Sequence, residues 1–377
     1  MSKDNPVYLD YNATTPVRSE AVDAISKALA LQGNPSSSHA AGRAARAVME
    51  HARDQVAAAV CASPADIIFT SGGTEANGAT LKGTNAHYLV VSAVEHDSVI
   101  TGAKAATLPV HIVPVDQQGV IDLTALEQVL AREGEGGLVS VMLANNETGV
   151  IQPIRAIVDI AATYSAKVHC DAVQALGKIE VNFPDLGVDY MSISAHKIGG
   201  PKGVGALIIK AGAEVAPLVS GGGQEKGRRS GTENLPGIAG FGAAAALVPE
   251  SLVRMQELQG LRDHMESELK SCASDLIIFG EEVSRLPNTT NVSMPGVTNE
   301  LQLMTFDLRG LYVSAGSACS SGKVSASHVL SAMGVTDAVA GNSIRISLGW
   351  GSKADDVDQF IDAWRDVHAR QTVRTAH

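Results

Sequence analysis

The stretch SISAHKIGGPKGVGAL at residues 192 to 207 decides the fold and locates the chemistry. The apolar run YMSIS at 190 to 194 predicts one strand and GALII at 205 to 209 predicts the next. Lys197 lies between them, just before a glycine-rich turn. A lysine that follows a strand of an α/β sheet points into the ligand cleft, where its amine can form a Schiff base with a carbonyl ligand. Taken alone, a surface lysine is an equally good interpretation.

The neighbouring residues favour the ligand interpretation, because they are suited to a phosphate. Ser194 and His196 offer donors beside Lys197. In FTSGGTEAN, at 69 to 77, a strand leads into glycines, Gly73 among them, and then into Thr74 at the start of a helix. Free N–H groups at a helix N-terminus bind anions. The segment lacks the G-K-[ST] ending of a P-loop and the full G-x-G-x-x-G spacing, so neither ATP nor a dinucleotide is supported.

Further strands continue outward from this stretch. Apolar runs that do not alternate with polar residues occur at 67 to 70, 88 to 92, 111 to 113 and 138 to 143, with amphipathic segments between most of them. Such runs are typical of strands buried on both faces. The sequence therefore predicts an α/β fold with a mostly parallel sheet and ligands at the carboxyl ends of its strands.

Three more polar positions follow predicted strands. Asp171, in HCDAVQALG, is either a helix N-cap or the anionic partner of a pyridine nitrogen in a cofactor used as an electron sink. His96 is either a residue at a helix start or a ring that stacks on an aromatic cofactor. Asn146, beside Asn145 in LANNETG, also suits an ordinary polar turn.

Cys319 lies in VSAGSACSSGKVSAS, whose small and polar residues have little apolar area to bury. This composition predicts a mobile, exposed segment and an accessible thiol. Cys61, Cys170 and Cys272 lie in apolar or regular segments and are predicted to be buried, inert thiols. The four cysteines are far apart, which fits neither a disulfide framework nor a zinc site.

The composition bounds the class of protein. The chain has 377 residues, of which 45% are apolar and 18% charged, and a net charge of -11. These values predict a globular protein that does not bind nucleic acid through a basic surface. No signal-like or membrane-spanning stretch is evident, so we expect a cytoplasmic protein without a membrane partner.

The pattern along the chain changes near residue 240, where a long helical run begins that contains one proline. Strand-like NVSM and SIRISL then mix with helical HVLSAM and DDVDQFIDAWRDVHA. We expect a large domain at 16–250 and a smaller α+β domain formed by 1–15 and 251–377, which carries the Cys319 segment.

Together these stretches resemble the cysteine desulfurases of the nitrogen-fixation and iron-sulfur-cluster type, which belong to the class V aminotransferases within the fold-type I pyridoxal-phosphate enzymes. The resemblance covers nearly the whole chain, and GSACSSG resembles the subtype whose nucleophile lies on a mobile loop. The matching motifs are YLDYNATTP, GNPSSSHAAG, TSGGTEAN, EH, NNETG, DAVQ, SAHKIGGPKG, GGGQEKGRRSGTEN, GSACSSG and SIRISLG.

The resemblance implies a role for each matching residue. Lys197 would form the Schiff base and act as general base, Asp171 would pair the pyridine nitrogen, and Gln174 would donate to the ring hydroxyl. His96 would stack on the ring and take part in proton transfer. The implied phosphate contacts are Gly73, Thr74, Ser194, His196 and the partner subunit's Thr232. The implied contacts of the substrate carboxylate are Arg345 and Asn146.

The resemblance also implies a reaction and partners. The cofactor would be pyridoxal 5'-phosphate, the substrate L-cysteine and the product L-alanine. Sulfur would pass to Cys319 as a persulfide and then to an acceptor or iron-sulfur scaffold protein, in a homodimeric enzyme without a metal of its own. The family's second histidine is replaced by Asp97, and the C-terminus differs from the tail that docks a scaffold in some relatives.

Two alternatives stay open. A selenocysteine lyase or another class V enzyme, such as a transaminase, would keep Lys197 and Asp171 without requiring Cys319 in its segment. A non-catalytic binding protein on the same fold would be expected to have lost the lysine, the aspartate or the cysteine, and all three are present.

Overall fold

The structure is a computed structural model that describes residues 6–316 and 327–375, with side chains described as far as residue 370. Cys319 and residues 317–326 of its predicted mobile segment lie outside the described residues, whereas the ends of that segment, at 313–316 and 327, are described and are mostly buried rather than exposed. The strands are β1 (Val7–Tyr8), β2 (Ile67–Thr70), β3 (Tyr88–Ser92), β4 (Val110–Val113), β5 (Gly137–Met142), β6 (Lys167–Asp171), β7 (Tyr190–Ser194), β8 (Gly205–Ile209), β9 (Ile277–Ile278), β10 (Thr289–Ser293), β11 (Leu311–Tyr312) and β12 (Ser343–Ser347).

The helices alternate with the strands through the first two thirds of the chain. They are α1 (Ser19–Leu29), α2 (Ala40–Ala59), α3 (Gly73–Gly83), α4 (Asp97–Lys104), α5 (Leu123–Glu133), α6 (Ile154–Thr163), α7 (Phe183–Leu186), α8 (Leu235–Ala245), α9 (Val248–Cys272), α10 (Asn299–Leu308), α11 (His328–Ala332), α12 (Asp337–Ala340) and α13 (Ala354–Thr375).

The central sheet has seven strands in the order β2-β8-β7-β6-β5-β3-β4. Strand β8 runs antiparallel to β2 and β7, and every other neighbouring pair is parallel. Every residue of β2, β3, β5, β7 and β8 is buried, because helices cover both faces of the sheet. The predicted α/β fold with a mostly parallel sheet is confirmed. Strands β2, β3, β5, β6 and β7 all end at the same edge.

A second group of elements has a hydrophobic core of its own. Strands β12, β10 and β9 form an antiparallel sheet, and β1 pairs with β11 in a separate parallel ribbon. Their core contains Phe306, Phe360 and Trp364, all fully buried. We propose that 16–250 form the large domain and that 1–15 and 251–377 form the small one. The two groups of elements have separate hydrophobic cores, and β1 pairs with the C-terminal strand β11.

The long helical run is broken in two close to its one proline. Pro249 lies in the first turn of α9, where a missing N–H costs nothing, and the axes of α8 and α9 differ by 54°. In the described part of the chain, no single helix is long and apolar enough to span a membrane, although this bent pair passes the same test when its two helices are taken together.

The cysteine predictions are only partly right. Cys170 in β6 is buried, as expected, but Cys61 is exposed and Cys272 is half-buried. Cys61 follows the end of α2 with a positive φ of 56°, a conformation that turns the chain out of the helix and away from the core. Cys272 is the last residue of α9, where its Sγ contacts the guanidinium of Arg365.

Candidate active site

Nine of the twelve predicted site residues meet in one cavity of about 240 Å³ at the carboxyl edge of the central sheet. Each of the five strands that end there contributes side chains from itself or from the loop that follows it, which is where ligands bind in open α/β sheets. The lining residues are Ala13, Gly73, Thr74, Asn77, His96, Ser98, Met142, Ala144, Asn146, Asp171, Val173, Gln174, Ser194, His196 and Lys197.

Lys197 ends the short helical turn Ala195–Lys197 that follows strand β7. Its Nζ donates to the backbone oxygens of Asn12, at 2.5 Å, and Ala13, at 2.9 Å. The amine is half-buried and lies at the wall of the cavity. The interpretation of Lys197 as an ordinary surface lysine is therefore wrong.

Asp171 is the last residue of β6 and is 5% exposed. Its Oδ1 accepts from the backbone N–H of Val173 at 3.0 Å, and its Oδ2 accepts from Nδ2 of Asn77 at 2.7 Å. No α-helix begins at Asp171, because residues 172 to 179 form turns, so the alternative of a helix N-cap is wrong. A buried carboxylate held by two donors can pair a cationic ligand group.

His96 lies at a helix start, as one of its two interpretations predicted, and its position also leaves the stacking interpretation open. It caps the N-terminus of α4, since its Nδ1 accepts from the backbone N–H of Ser98 at 3.1 Å, and its ring also lines the cavity. The Ser98 hydroxyl lies 2.8 Å from the same Nδ1 and 2.9 Å from Nδ2 of Asn77. A continuous row of hydrogen bonds thus joins His96 to Asp171 through two side chains.

An anion cup lies at the end of the cavity where β2 leads into α3. Gly73 is required there, because a Cβ at this position would lie 2.7 Å from Cγ2 of Val173. The N-terminus of α3 and the Thr74 side chain open into a neighbouring cavity that Ser194 and His196 also line. Oγ of Ser194 is buried and has no hydrogen-bond partner among the described residues. These groups form a set of donors suited to a phosphate.

His196 contributes to the cup as a neutral ring. Burial, together with the positive charges of nearby Lys197 and Lys202, lowers its pKa to about 4. Its Nδ1 lies 3.2 Å from the hydroxyl of Thr14. A neutral imidazole can donate one N–H without adding a positive charge to the site.

Sequence reasoning assigned no role to Asn12, although it lies in the motif YLDYNATTP. Its backbone oxygen accepts from Lys197 and from Nε2 of Gln174, the latter at 2.9 Å, and its Oδ1 accepts from the buried Lys178 at 2.7 Å. Asn77, which orients Asp171, was missed as well. The only available signal was a polar residue inside an apolar or turn segment, and that signal is too common to be selective.

Arg345 and Asn146 lie next to each other, but the guanidinium is already paired. Arg345 is buried in β12, and its Nη2 lies 2.6 Å from Oδ1 of Asp10. Its Nη1 donates to the backbone oxygen of Asn146 at 3.0 Å, and its Nε is buried without a partner in the described part of the chain. The guanidinium therefore retains donor capacity close to the cavity.

Thr232 does not join the cavity. It is exposed in the segment that precedes α8, and it is absent from the residues that line the site. The chain's own fold thus brings together nine predicted residues of the cavity, places Arg345 beside Asn146 and leaves Thr232 on the surface, while Cys319 lies outside the described residues.

Comparisons with known proteins agree with this geometry. Residues 7–360 match the family Aminotransferase class-V. A cysteine desulfurase IscS of Dictyoglomus turgidum is 43% identical over 94% of this chain and 93% of the relative. A cysteine desulfurase of Sinorhizobium fredii is 42% identical over 94% of this chain and 95% of the relative. The solved NifS-like protein from Rickettsia africae superposes with a TM-score of 0.90 at 38% identity, over 97% of this chain and all of the other. The chain belongs to the class V aminotransferase family and, within it, to the cysteine desulfurases of the IscS and NifS type.

Proposed function

We propose that this chain is a pyridoxal-phosphate-dependent cysteine desulfurase, which converts L-cysteine to L-alanine and transfers the sulfur as a persulfide on Cys319. The observation that carries the proposal is the single cavity that holds Lys197, Asp171 and the anion cup. Membership of the desulfurase group supports the choice of cysteine as substrate.

The residues of the cavity fit the functional groups of the cofactor. Lys197 suits its aldehyde, Asp171 its pyridine nitrogen and Gln174 its ring hydroxyl, while the cup suits its phosphate. The strongest support comes from the buried Oγ of Ser194, which has no hydrogen-bond partner in the described part of the chain. A buried hydroxyl without a hydrogen bond costs free energy that a phosphate oxygen would recover. We therefore propose that these residues, together with the ring of His96, hold pyridoxal phosphate.

When bound, pyridoxal phosphate supplies an electron sink for the charge left at the substrate's α-carbon. The Lys197 amine takes the α-proton, and the Asp171 carboxylate keeps a proton on the ring nitrogen so that the sink stays effective. The Asn77 amide holds that carboxylate in place. Arg345, through its remaining donor capacity, and Asn146 orient the substrate carboxylate.

The sulfur step is assigned to the Cys319 thiolate. It attacks the substrate's sulfur, so that a sulfur–sulfur bond forms while the bond between that sulfur and the β-carbon breaks. The electron pair of the broken bond stays with the carbon, which takes up a proton and leaves as alanine. The balance is one cysteine plus one thiolate giving one alanine plus one persulfide anion, without any other oxidant or reductant.

The partners are proposed from the family and the surface position of one residue. We propose a homodimer in which the exposed Thr232 reaches the phosphate cup of the partner subunit. The persulfide would pass to an acceptor protein for iron-sulfur clusters or another thio-cofactor. Cytoplasmic location remains a prediction from the sequence.

The direct test is an absorbance spectrum of the purified protein followed by assays with cysteine. The proposal predicts a yellow protein that loses its colour on reduction with borohydride, and equal amounts of alanine and sulfide when a reductant is present. A colourless protein that binds no added pyridoxal phosphate would contradict it. Turnover of selenocysteine but not cysteine would instead favour the selenocysteine lyase alternative.

A further inference from the structure

Lys178 is an unusual charged residue, because it is buried among neutral partners. It is 4% exposed, and its Nζ donates to Oδ1 of Asn12 at 2.7 Å and to Oε1 of Gln174 at 2.5 Å. Among the described residues, no carboxylate forms an ion pair with it. Burial lowers its pKa well below the ordinary value for lysine, and nearby Lys197 and Arg345 lower it further. Burying an amine in this way costs folding free energy, which makes a role in the adjoining site a reasonable explanation.

The chemistry of the amine constrains its two neighbours. A lysine amine offers hydrogen-bond donors whether or not it is protonated, and in this structure both amides turn their oxygens toward it. The NH₂ groups then point the other way. Nε2 of Gln174 donates to the backbone oxygen of Asn12, and Nδ2 of Asn12 donates to Oγ1 of Thr289 at 2.9 Å. Without Lys178, the backbone oxygen of Asn12 is the remaining described partner that selects the N–H side of the Gln174 amide, whose oxygen and nitrogen are similar in size.

The orientation of Gln174 matters because this residue lines the cavity, whereas Lys178 does not. Its Nε2 shares an acceptor, the backbone oxygen of Asn12, with Nζ of Lys197. In pyridoxal phosphate the ring hydroxyl is adjacent to the aldehyde that a lysine attacks. A donor beside Lys197 is thus matched to that hydroxyl oxygen, and a reversed amide would present a second acceptor to it.

We propose that Lys178 is a positioning residue that fixes the Gln174 amide with its N–H side toward the cofactor. This inference rests on the pyridoxal-phosphate site proposed above. Lys178 acts only through Gln174, so its contribution to cofactor binding disappears when Gln174 can no longer form hydrogen bonds.

A double-mutant cycle tests this dependence. Pyridoxal phosphate is titrated into cofactor-free wild type, Lys178→Met, Gln174→Leu and the double variant, and the dissociation constant is measured by fluorescence. We expect Lys178→Met to raise the dissociation constant about tenfold in the presence of Gln174, and less than about twofold in the Gln174→Leu background. Lys210→Met, which removes an exposed lysine, is the matched control and should change nothing.

The outcomes separate this inference from the proposed function. An equal effect of Lys178→Met in both backgrounds would show that Lys178 supports the fold alone, and would overturn the inference while leaving the cofactor site intact. Wild-type protein that binds no pyridoxal phosphate would overturn both.

If Lys178→Met does not fold, the variants Gln174→Glu and Gln174→Leu can be compared instead, because both keep Lys178. In Gln174→Glu the carboxylate still accepts from Lys178 but has no N–H to offer the cofactor. Gln174→Glu gains an ion pair with Lys178 but loses the hydrogen bond to the backbone oxygen of Asn12, so the cofactor-free protein should unfold close to the wild-type temperature, yet bind pyridoxal phosphate as weakly as Gln174→Leu. Gln174→Leu should unfold several degrees lower. Wild-type affinity in Gln174→Glu, or an unchanged unfolding temperature in Gln174→Leu, would overturn the inference.

Discussion

His169 and Asp171 lie two residues apart on strand β6, so their side chains share one face of the sheet, yet their surroundings differ. Asp171 is at the strand end and lines the cavity. His169 is fully buried one step deeper, with Nδ1 2.8 Å from Oγ of Ser140 and Nε2 2.9 Å from Oγ of Ser192. The same strand thus carries one polar group that is available to a ligand and one whose partners are all internal.

The comparison shows that the position of a polar residue along a parallel strand decides whether its side chain is available to a ligand or serves the fold. Polar groups at the carboxyl end face a cavity that several strands build together, whereas a polar group inside the sheet must be satisfied by its neighbours. Changes at the strand ends should therefore affect turnover far more than stability, and changes at His169 should do the reverse.

The largest effect is expected at Lys197. Lys197→Ala removes the amine that takes the α-proton, so the rate of alanine formation should fall at least about a thousandfold. The unfolding temperature of the cofactor-free protein should stay close to the wild-type value, because the backbone oxygens of Asn12 and Ala13 that accept from the amine can bond to water in the emptied space. Lys167→Ala, at the exposed start of β6, is the matched control. Near-normal turnover in Lys197→Ala would remove the lysine from the mechanism.

A smaller loss of activity is expected at Asp171. Asp171→Asn keeps the size of the side chain and an oxygen for the N–H of Val173, but it removes the negative charge that holds a proton on the ring nitrogen. The rate of alanine formation should fall about a hundredfold, with little change in the free energy of unfolding measured in urea. A loss of stability as large as the loss in activation free energy would instead make Asp171 a structural residue like His169.

The smallest effect on activity, and a clear effect on stability, is expected at His169. Burial lowers its pKa to about 4, from an ordinary value of 6.5. The unfolded chain therefore binds a proton more readily between these values, so the free energy of unfolding falls as pH decreases from about 6.5 toward 4. Wild type should lose about 1 kcal/mol from this group between pH 7 and pH 5.5.

His169→Gln checks that expectation, since its amide cannot titrate. It should keep most of the desulfurase activity, have a lower free energy of unfolding at pH 7 and lose less of it on acidification than wild type. Urea unfolding at both pH values measures this difference. An equal acid sensitivity in the two proteins would mean that His169 is not the titrating group.

The sequence predicted the sheet and most of the cavity because both follow from local pattern. Buried runs such as YLVVS and YMSIS identify strands, and strand-end residues such as Lys197 and Asp171 must then meet at one edge. The local pattern also predicted that Cys61 is buried. Cys61 is exposed, because its own left-handed backbone conformation after α2 turns the side chain outward.

The residues that hold the site were not predictable in this way. Asn12 lies more than 160 positions from Gln174 and Lys178, and only the folded chain brings the three together. Asn77 lies 94 positions from Asp171. Their signal is a hydrogen bond across the fold rather than a period or a spacing, and such bonds leave no pattern in a single sequence.

The most direct test of the desulfurase account concerns Cys319. The protein is mixed with one equivalent of L-cysteine without reductant, digested and examined by mass spectrometry, with Cys61→Ala as a control for the exposed thiol of Cys61. The account predicts an added sulfur, about 32 Da, on the peptide that contains Cys319, in both proteins, and no sulfide production by Cys319→Ala. The same added mass found only on a peptide that contains Cys61, Cys170 or Cys272, or full desulfurase activity in Cys319→Ala, would contradict it.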